Sequence, residues 1–462
     1  MARIAKKERT LTVEEKPAQA LVPDVEQLYR VPKNWRWATA SSLASVISKG
    51  TTPQGGKHAY TDTGISFLRV ENILDDGTIS HENIMHVSEE MHSGFLKRSV
   101  LQEGDILVSI AGTLGKTAII RKYDLPMNTN QAVSFIRLKC EEISRKYVKL
   151  AIDTPIIQSH LLSQTKVTAI PNLTLEIIGS CPIPLAPLAE QQRIVDRIES
   201  LFAKLDEAKE KAQTVVDGFE DRKAAILHRA FTGELTEEWR SANNISIDQW
   251  SRKRLGDCGE WMGGGTPSMS HPEYWKDGDV LWITSKDMKS DLIEDTQMHT
   301  NMLGVSNSSA NYSDKSSILF VMRSGILRRT LPIAIVKTPF TVNQDLKALA
   351  PNGINVDYLF WACESKEKQI LNTCMKSGTT VESINATALM DFMVPIAPKN
   401  EQQIIVSTIV ALLQKEQQAK EAAEQVIDQI NAMKKSILAR AFRGELGTND
   451  SNDEPAIELL KK

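Results

Sequence analysis

A stretch of 49 residues occurs twice in this chain of 462. Pro187–Leu235, shifted by 211 positions, lands on Pro398–Leu446 without a gap and with 24 identical residues. Both copies open on proline followed by E-Q-Q (Glu190-Gln191-Gln192 and Glu401-Gln402-Gln403). Both close on A-F-x-G-E-L (Ala230-Phe231 to Leu235 and Ala441-Phe442 to Leu446). An internal repeat of this size decides the architecture before any single motif does.

Each copy carries apolar residues at heptad spacing. The first seam runs Ile194, Ile198, Leu201, Leu205, Ala208, Ala212, Val215, Phe219, Arg222 and Ile226. The second runs Ile405, Ile409, Leu412, Glu416, Ala419, Ala423, Val426, Ile430, Met433 and Ile437. A 3.5-residue repeat sustained over four heptads predicts a coiled coil. Pro187 and Pro398 suit a first helical turn, and Gly233 and Gly444 suit the stop. Each helix should then hold about 42 residues, or roughly 63 Å at 1.5 Å per residue. Alanine at mid-seam (Ala208, Ala212, Ala419, Ala423) lets two axes approach closely, and near-identical helices favour an antiparallel pair related by a pseudo-two-fold axis. Glu416 is a charged seam residue to which the sequence reading assigns no partner.

Two globular segments precede the two helices. The first starts near Trp35 and Trp37 and contains Gly50-Thr51-Thr52-Pro53, the strand-like Ile65–Val70, the buried-type run Ile106–Ile110 and Thr129-Asn130-Gln131. The second replays that order with diverged residues: Trp250, Gly263–Pro267, Gly278–Ile283, Ser317–Val321 and Thr341–Gln344. The expected organisation is a flexible extension at 1–28, globules at 29–186 and 249–397, long helices at 187–232 and 398–443, a linker at 233–248 and a flexible tail at 444–462.

A net charge of −3 and pI near 6.3 give no global nucleic-acid signature, so any contact with DNA must come from local patches. Five cysteines lie far apart with no C-x-x-C pair, which argues against a zinc site or disulfide framework and for a reducing cytoplasm. The basic N-terminus lacks a signal-type apolar core, and no run of 18 apolar residues exists, so no membrane association is expected. Gly112 and Gly115 before Lys116-Thr117 resemble a phosphate loop, but Ile110 stands where that motif needs glycine. H-E-x-x-H, G-x-S-x-G and adenine-methyltransferase segments are absent from the sequence. No chemistry by this chain is expected.

Two diverged globules with a G-x-T-P turn, each followed by P-x-x-E-Q-Q-x-I-V and a long helix ending A-F-x-G-E-L, resemble the specificity subunit of Type I restriction-modification systems. The resemblance covers about Tyr29 to Leu446. It implies an α+β chain in which two α/β target recognition domains are separated by two long antiparallel coiled-coil helices, each domain reading half of a bipartite, asymmetric DNA target. It also implies double-stranded DNA, two methylation subunits and restriction/translocase subunits as partners, with S-adenosylmethionine and ATP bound by those partners only.

The family's recognition loops vary, so candidate contacts come from side-chain chemistry: groups that fork onto guanine or adenine edges or grip phosphates. In the first globule these are Lys57, Arg69, Asn72, Lys116, Asn130 and Gln131. In the second they are Lys286, Arg323, Arg328, Arg329, Asn343 and Gln344. The alternative reading is a coiled-coil scaffold whose globules bind protein partners; steep loss of DNA retention with rising salt separates the two. A stand-alone methyltransferase is a third reading, which failure to bind S-adenosylmethionine would set aside.

Overall fold

A computed structural model describes residues 20–461 apart from 54, 166–170 and 377–380. The expectation of a flexible stretch before residue 20 lies outside the described residues. The chain divides into two compact units, Met1–Lys211 with Gln425–Lys462, and Ala212–Glu424.

The helices form where the repeat puts them. The first long helix spans Leu188–Asp217 and is followed, across Gly218, by Phe219–Phe231; the second is one helix, Lys399–Ala441. Pro187 and Pro398 supply the first accepting carbonyls, to Gln191 N (2.9 Å) and Glu401 N (2.9 Å). Gly233 and Gly444 end the helices at φ +86° and +75°, a left-handed conformation that glycine adopts without strain.

Within each unit the two helical stretches run antiparallel. In the first unit Lys434 bonds Asp206, and Lys209 Nζ lies 3.4 Å from Asn431 Oδ1. In the second, Arg222 Nε meets Glu416 Oε2 at 2.5 Å, and Lys420 Nζ sits 4.9 Å over the Phe219 ring. Arg222 is thus the partner that the sequence could not name for Glu416.

The predicted seam needs one correction. Beyond Leu205 and Glu416 alternate seam positions move on by one, with Ala208, Ala419, Val426 and Met433 exposed and Lys209, Val216, Lys420, Ile427 and Lys434 half-buried, while Ala212, Ala423 and Ile430 stay covered. The covered positions take one 3-4-4 step, Ile198-Leu201-Leu205-Lys209 and Ile409-Leu412-Glu416-Lys420, before steps of four and three resume, and such a step absorbs the roughly 20° per heptad by which a 3.6-residue helix departs from a strict 3.5 repeat. Two of the lysines that enter the seam, Lys420 and Lys434, set their ammonium groups over the rings of Phe219 and Phe202, each 4.9 Å from the centroid.

The first globule holds β1 (Arg36–Thr39), β2 (Ala44–Lys49), β3 (Ile65–Leu68), β4 (Met85–Val87), β5 (Ile106–Ser109), β6 (Thr117–Ile119), β7 (Met127–Thr129), β8 (Val133–Leu138) and β9 (Pro182–Leu185). They form the pair β1-β9, a sheet in the order β2-β8-β5-β6, and a sheet in the order β4-β3-β7 in which β3 and β7 are parallel. Strand β5 (ILVS) is buried at all four positions, as its unbroken apolar run predicts.

The second globule holds β10 (Ser251–Arg254), β11 (Gly259–Gly263), β12 (Val280–Ile283), β13 (Leu292–Ile293), β14 (His299–Thr300), β15 (Ser317–Val321), β16 (Ile333–Val336), β17 (Phe340–Val342), β18 (Leu346–Pro351) and β19 (Met393–Ile396). Its sheets are β10-β19, β11-β18-β15-β16-β13 and β14-β12-β17, with β12 parallel to β17. Apart from β13 the strand order is that of the first globule.

The tail expected to be flexible packs instead. Ala456 and Leu460 are buried in the core of the first unit, and Ala456 N donates to Asn34 O at 2.9 Å. The expected linker likewise folds, into the helix Glu237–Ala242, and ordered chain begins before Tyr29: Val22 N donates to Trp37 O at 3.0 Å. No helix among the described residues is long and apolar enough to cross a membrane.

Candidate nucleic-acid interface

Each globule is held by a clasp built from E-Q-Q. Glu190 and Gln191 are fully buried, as is Glu401; Gln402 is nearly so. Gln191 Nε2 donates to Ala186 O (2.9 Å) and its Oε1 accepts from Ser144 N (3.2 Å). Gln402 repeats both bonds, with Ala397 O (2.8 Å) and Asn355 N (2.9 Å). Trp35 Nε1 donates to Glu190 Oε2 at 2.7 Å, and Trp250 Nε1 to Glu401 Oε2 at 2.8 Å. Phe442 packs on Tyr147 and Phe231 on Tyr358, with ring centroids 5.0 and 5.4 Å apart. The repeated motifs are therefore fixtures that orient each globule on its helix, not sites of chemistry.

The clasps differ in how the glutamate is satisfied. Glu401 is paired with Arg240 (Nη1 to Oε1, 2.8 Å) and accepts from Thr236 Oγ1 (2.7 Å). Glu190 has neutral donors in the same role, Asn449 Nδ2 (2.8 Å) and Thr448 Oγ1 (3.2 Å) from the folded tail.

The candidate contact residues gather elsewhere, at the C-terminal ends of the parallel strands β3 and β7, or β12 and β17. Asn130 N donates to Leu68 O (3.3 Å) and Asn343 N to Ile283 O (2.9 Å), so the two strand ends are tied alike in both globules. The G-x-T-P turn lies against them. A Cβ on Gly50 would fall 2.1 Å from Asn130 O, and one on Gly264 would fall 1.7 Å from Val342 O, so only glycine permits this approach. The loops after β5 and β15 close the cluster, through Ile110 N to Ala132 O (2.8 Å) and Met322 N to Asp345 O (2.7 Å).

In the first globule this brings together Arg69, Lys116, Asn130 and Gln131. Arg69 pairs with Glu71 (2.5 Å), while its Nε is buried without a hydrogen-bond partner among the described residues. Lys116 Nζ reaches Ile73 O (3.1 Å) and Asp75 (2.7 Å). Asn130 Oδ1 accepts from Ala132 N, and Gln131 is exposed. Lys57 lies on the 3-10 turn Gly56–Ala59. Asn72 is not a surface reader: it is 2% exposed and its Oδ1 accepts from Arg69 N, a local capping bond that a short amide makes readily.

In the second globule Lys286, Arg323, Arg329 and Gln344 are exposed, with Gln344 Oε1 accepting from Thr266 Oγ1 (2.9 Å). Arg328 is exposed and bonds Glu382 at 2.5 Å; that bond holds the Glu382 carboxyl below its ordinary range. Asn343 is 8% exposed and its Oδ1 accepts from Asp345 N, so it shapes the turn rather than the surface. Sequence reasoning also passed over Phe95, half-exposed and followed by exposed Lys97 and Arg98 beside β7, and exposed Met302 and Leu303 in the second globule. An apolar residue next to cations is the signal that could have found Phe95. Among the described residues no group of His, Cys, Asp and Glu could hold a metal ion.

Comparison with known proteins agrees with this geometry. The sequence model described as "Type I restriction modification DNA specificity domain" matches residues 32–215 and again 247–428. The Escherichia coli type I restriction enzyme EcoR124I/EcoR124II specificity subunit is 39% identical over 158 residues, 34% of this chain and 39% of that protein. The E. coli EcoBI specificity subunit is 32% identical over 39% of this chain and 37% of its own length. This chain therefore matches less than two fifths of each of these relatives. The specificity subunit of EcoKI from E. coli strain K12 is 21% identical over 93% of this chain and 92% of its own.

Among solved structures, one from work on assembly and conformational transition of the type I R-M system has a TM-score of 0.70 at 18% identity, covering 90% of this chain and 100% of that one. The HsdS subunit from Thermoanaerobacter tengcongensis has a TM-score of 0.56 at 18% identity, covering 90% and 99%. These likenesses show the fold. With the family match covering both globules and the greater part of both helices, the chain belongs to the Type I restriction modification DNA specificity family.

Proposed function

We propose that this chain is a non-catalytic DNA reader that gives a type I restriction-modification complex its target. Double-stranded DNA is its ligand, methylation and restriction/translocase subunits are its protein partners, and S-adenosylmethionine and ATP bind those partners. The observation that carries the reading is the duplication of one loop cluster on one scaffold with different side chains: Arg69, Asn130 and Gln131 in one copy, Arg323, Arg329 and Gln344 in the other. Guanidinium and amide groups at such strand ends have the donors and acceptors to read guanine and adenine edges, and the cations grip phosphates. Two such clusters suit a bipartite target, each reading its own half.

The test is to express the chain with its cognate methylation subunit and map methylated adenines. Replacing Trp250–Met393 with the matching segment of a relative should change one half of the mapped site and leave the other intact. A change in both halves would overturn the reading of independent domains. Methyl transfer by the purified chain alone would overturn its non-catalytic role.

A further inference from the structure

Of the six cationic candidates whose side chains are described, three are already engaged by a nearby carboxylate: Arg69 with Glu71, Lys116 with Asp75 and Arg328 with Glu382. We propose that these carboxylates are specificity-determining residues: each occupies a reading cation until DNA of the right sequence displaces it. The inference rests on the DNA-reading function proposed above and assigns a role within that interface.

Glu71 and Asp75 have side chains 64% and 91% exposed, so packing does not require an acid at either position. Glu382 is held in place across the loop: its carbonyl accepts from Ser324 N (3.1 Å), and Arg323 bridges Ser383 in antiparallel fashion, which keeps the carboxylate facing Arg328. A carboxylate offers a guanidinium two acceptors, as a phosphate or the O6/N7 edge of guanine does, and so stands in for the nucleic acid.

The consequence is a difference between sequences. Non-specific binding comes almost wholly from neutralising phosphates, and a carboxylate paired with a cation uses up the positive charge that would do so. A duplex with a matching base edge replaces the carboxylate bond for bond, because exposed ion pairs are weak. A mismatched duplex offers only phosphates, against which the carboxylate competes. The acids thus lower affinity for all DNA but lower it least at the target.

The experiment uses the full chain and a fluorescent pool of random-sequence 30-base-pair duplexes, read by anisotropy across a salt series. Glu382→Gln, nearly isosteric, should bind the pool more tightly at 0.1 M salt, by up to about eightfold, and should steepen the log–log salt slope by up to about 0.9, the value for one freed cation. Glu71→Gln with Asp75→Asn should act in the same direction. Arg328→Ala should weaken binding, and the gain from Glu382→Gln should vanish in Glu382→Gln/Arg328→Ala. If Arg328→Ala weakens binding but Glu382→Gln leaves it unchanged or weakens it, Glu382 merely supports the arginine and the inference falls while the DNA reading stands. A gain that survives in the double variant shows a general charge effect and also overturns the inference. If alanine at Arg69, Lys116 and Arg328 together leaves binding unchanged, the interface itself is wrongly placed.

Discussion

Removing the cation from the second clasp should be among the costliest single changes in this chain. Arg240 is 8% exposed at its side chain and Glu401 is 0% exposed. Arg240 Nη1 serves Glu401 and Thr236 Oγ1 (2.9 Å), Nη2 donates to Gly233 O at 2.5 Å, and the guanidinium lies 5.9 Å over the Trp250 ring. Arg240→Met keeps much of the volume but leaves a buried carboxylate with two neutral donors, and leaves Gly233 O without its partner. Breaking a buried pair from one side costs about 3–5 kcal/mol, because the surviving charge stays desolvated. For a unit of this size each kcal/mol moves the melting temperature by about 2–4 °C, so a drop of roughly 6–20 °C is expected. Calorimetry measures the drop, and hydrogen exchange across β12 and β17 assigns it to the second unit. Adding Glu401→Gln removes the stranded charge and should recover more than half of the loss. The first clasp shows that neutral donors suffice when there are enough of them, since Glu190 has three. A loss below about 1 kcal/mol, or a double variant no more stable than the single, would refute the account of Arg240 as a charge partner.

Burial among Asp291 and Glu367 pushes the Glu364 carboxyl up to about 7, with Lys223 (3.6 Å) opposing. A carboxyl raised in the folded state contributes its full stability below its unfolded pKa and loses it as pH rises through the folded value. The second unit should therefore weaken between about pH 4.5 and 7, and Glu364→Gln should flatten that slope in denaturant melts taken across the range. Truncation after Gly447 removes Thr448 and Asn449 from Glu190 and uncovers the cavity filled by Ala456 and Leu460. It should destabilise the first unit by several kcal/mol, read by limited proteolysis, and a tail that can be removed without effect would contradict the packing described.

Much of this fold could be read from the sequence because repetition reports architecture directly. The strand equivalences, β3 with β12, β5 with β15 and β7 with β17, follow from matched order alone, and the helix limits from Pro187, Gly233, Pro398 and Gly444. The tail escaped because its few apolar residues, Ala456, Ile457, Leu459 and Leu460, sit in a polar run, and nothing local says that a core waits for them. The seam shifted because an unbroken heptad was read through Leu205 and Glu416, where the covered positions take one extra residue. At the candidate interface, Asn72 and Asn343 were chosen for amides that can read adenine, but a short amide next to a turn bonds its own backbone first. Of the carboxylates opposite Arg69, Lys116 and Arg328, only Glu71 is near its partner in sequence; Asp75 lies 41 residues from Lys116 and Glu382 lies 54 from Arg328.

The clasp takes little from the globule it holds. The side chains it requires of each globule are a tryptophan, Trp35 or Trp250, and a tyrosine, Tyr147 or Tyr358, whose hydroxyl accepts from Ala186 N or Ala397 N; the glutamate, glutamine and phenylalanine come from the duplicated stretch, and the remaining donors, Thr448 and Asn449 or Thr236 and Arg240, from the segments just after it. Such a socket is a standard fitting. On the proposed DNA-reading function, a lineage can alter its DNA vocabulary by importing a foreign globule that brings those two aromatics in the right places, without re-evolving the mounting. A stretch duplicated in register also offers genetic exchange a place to cross over that leaves the clasp intact.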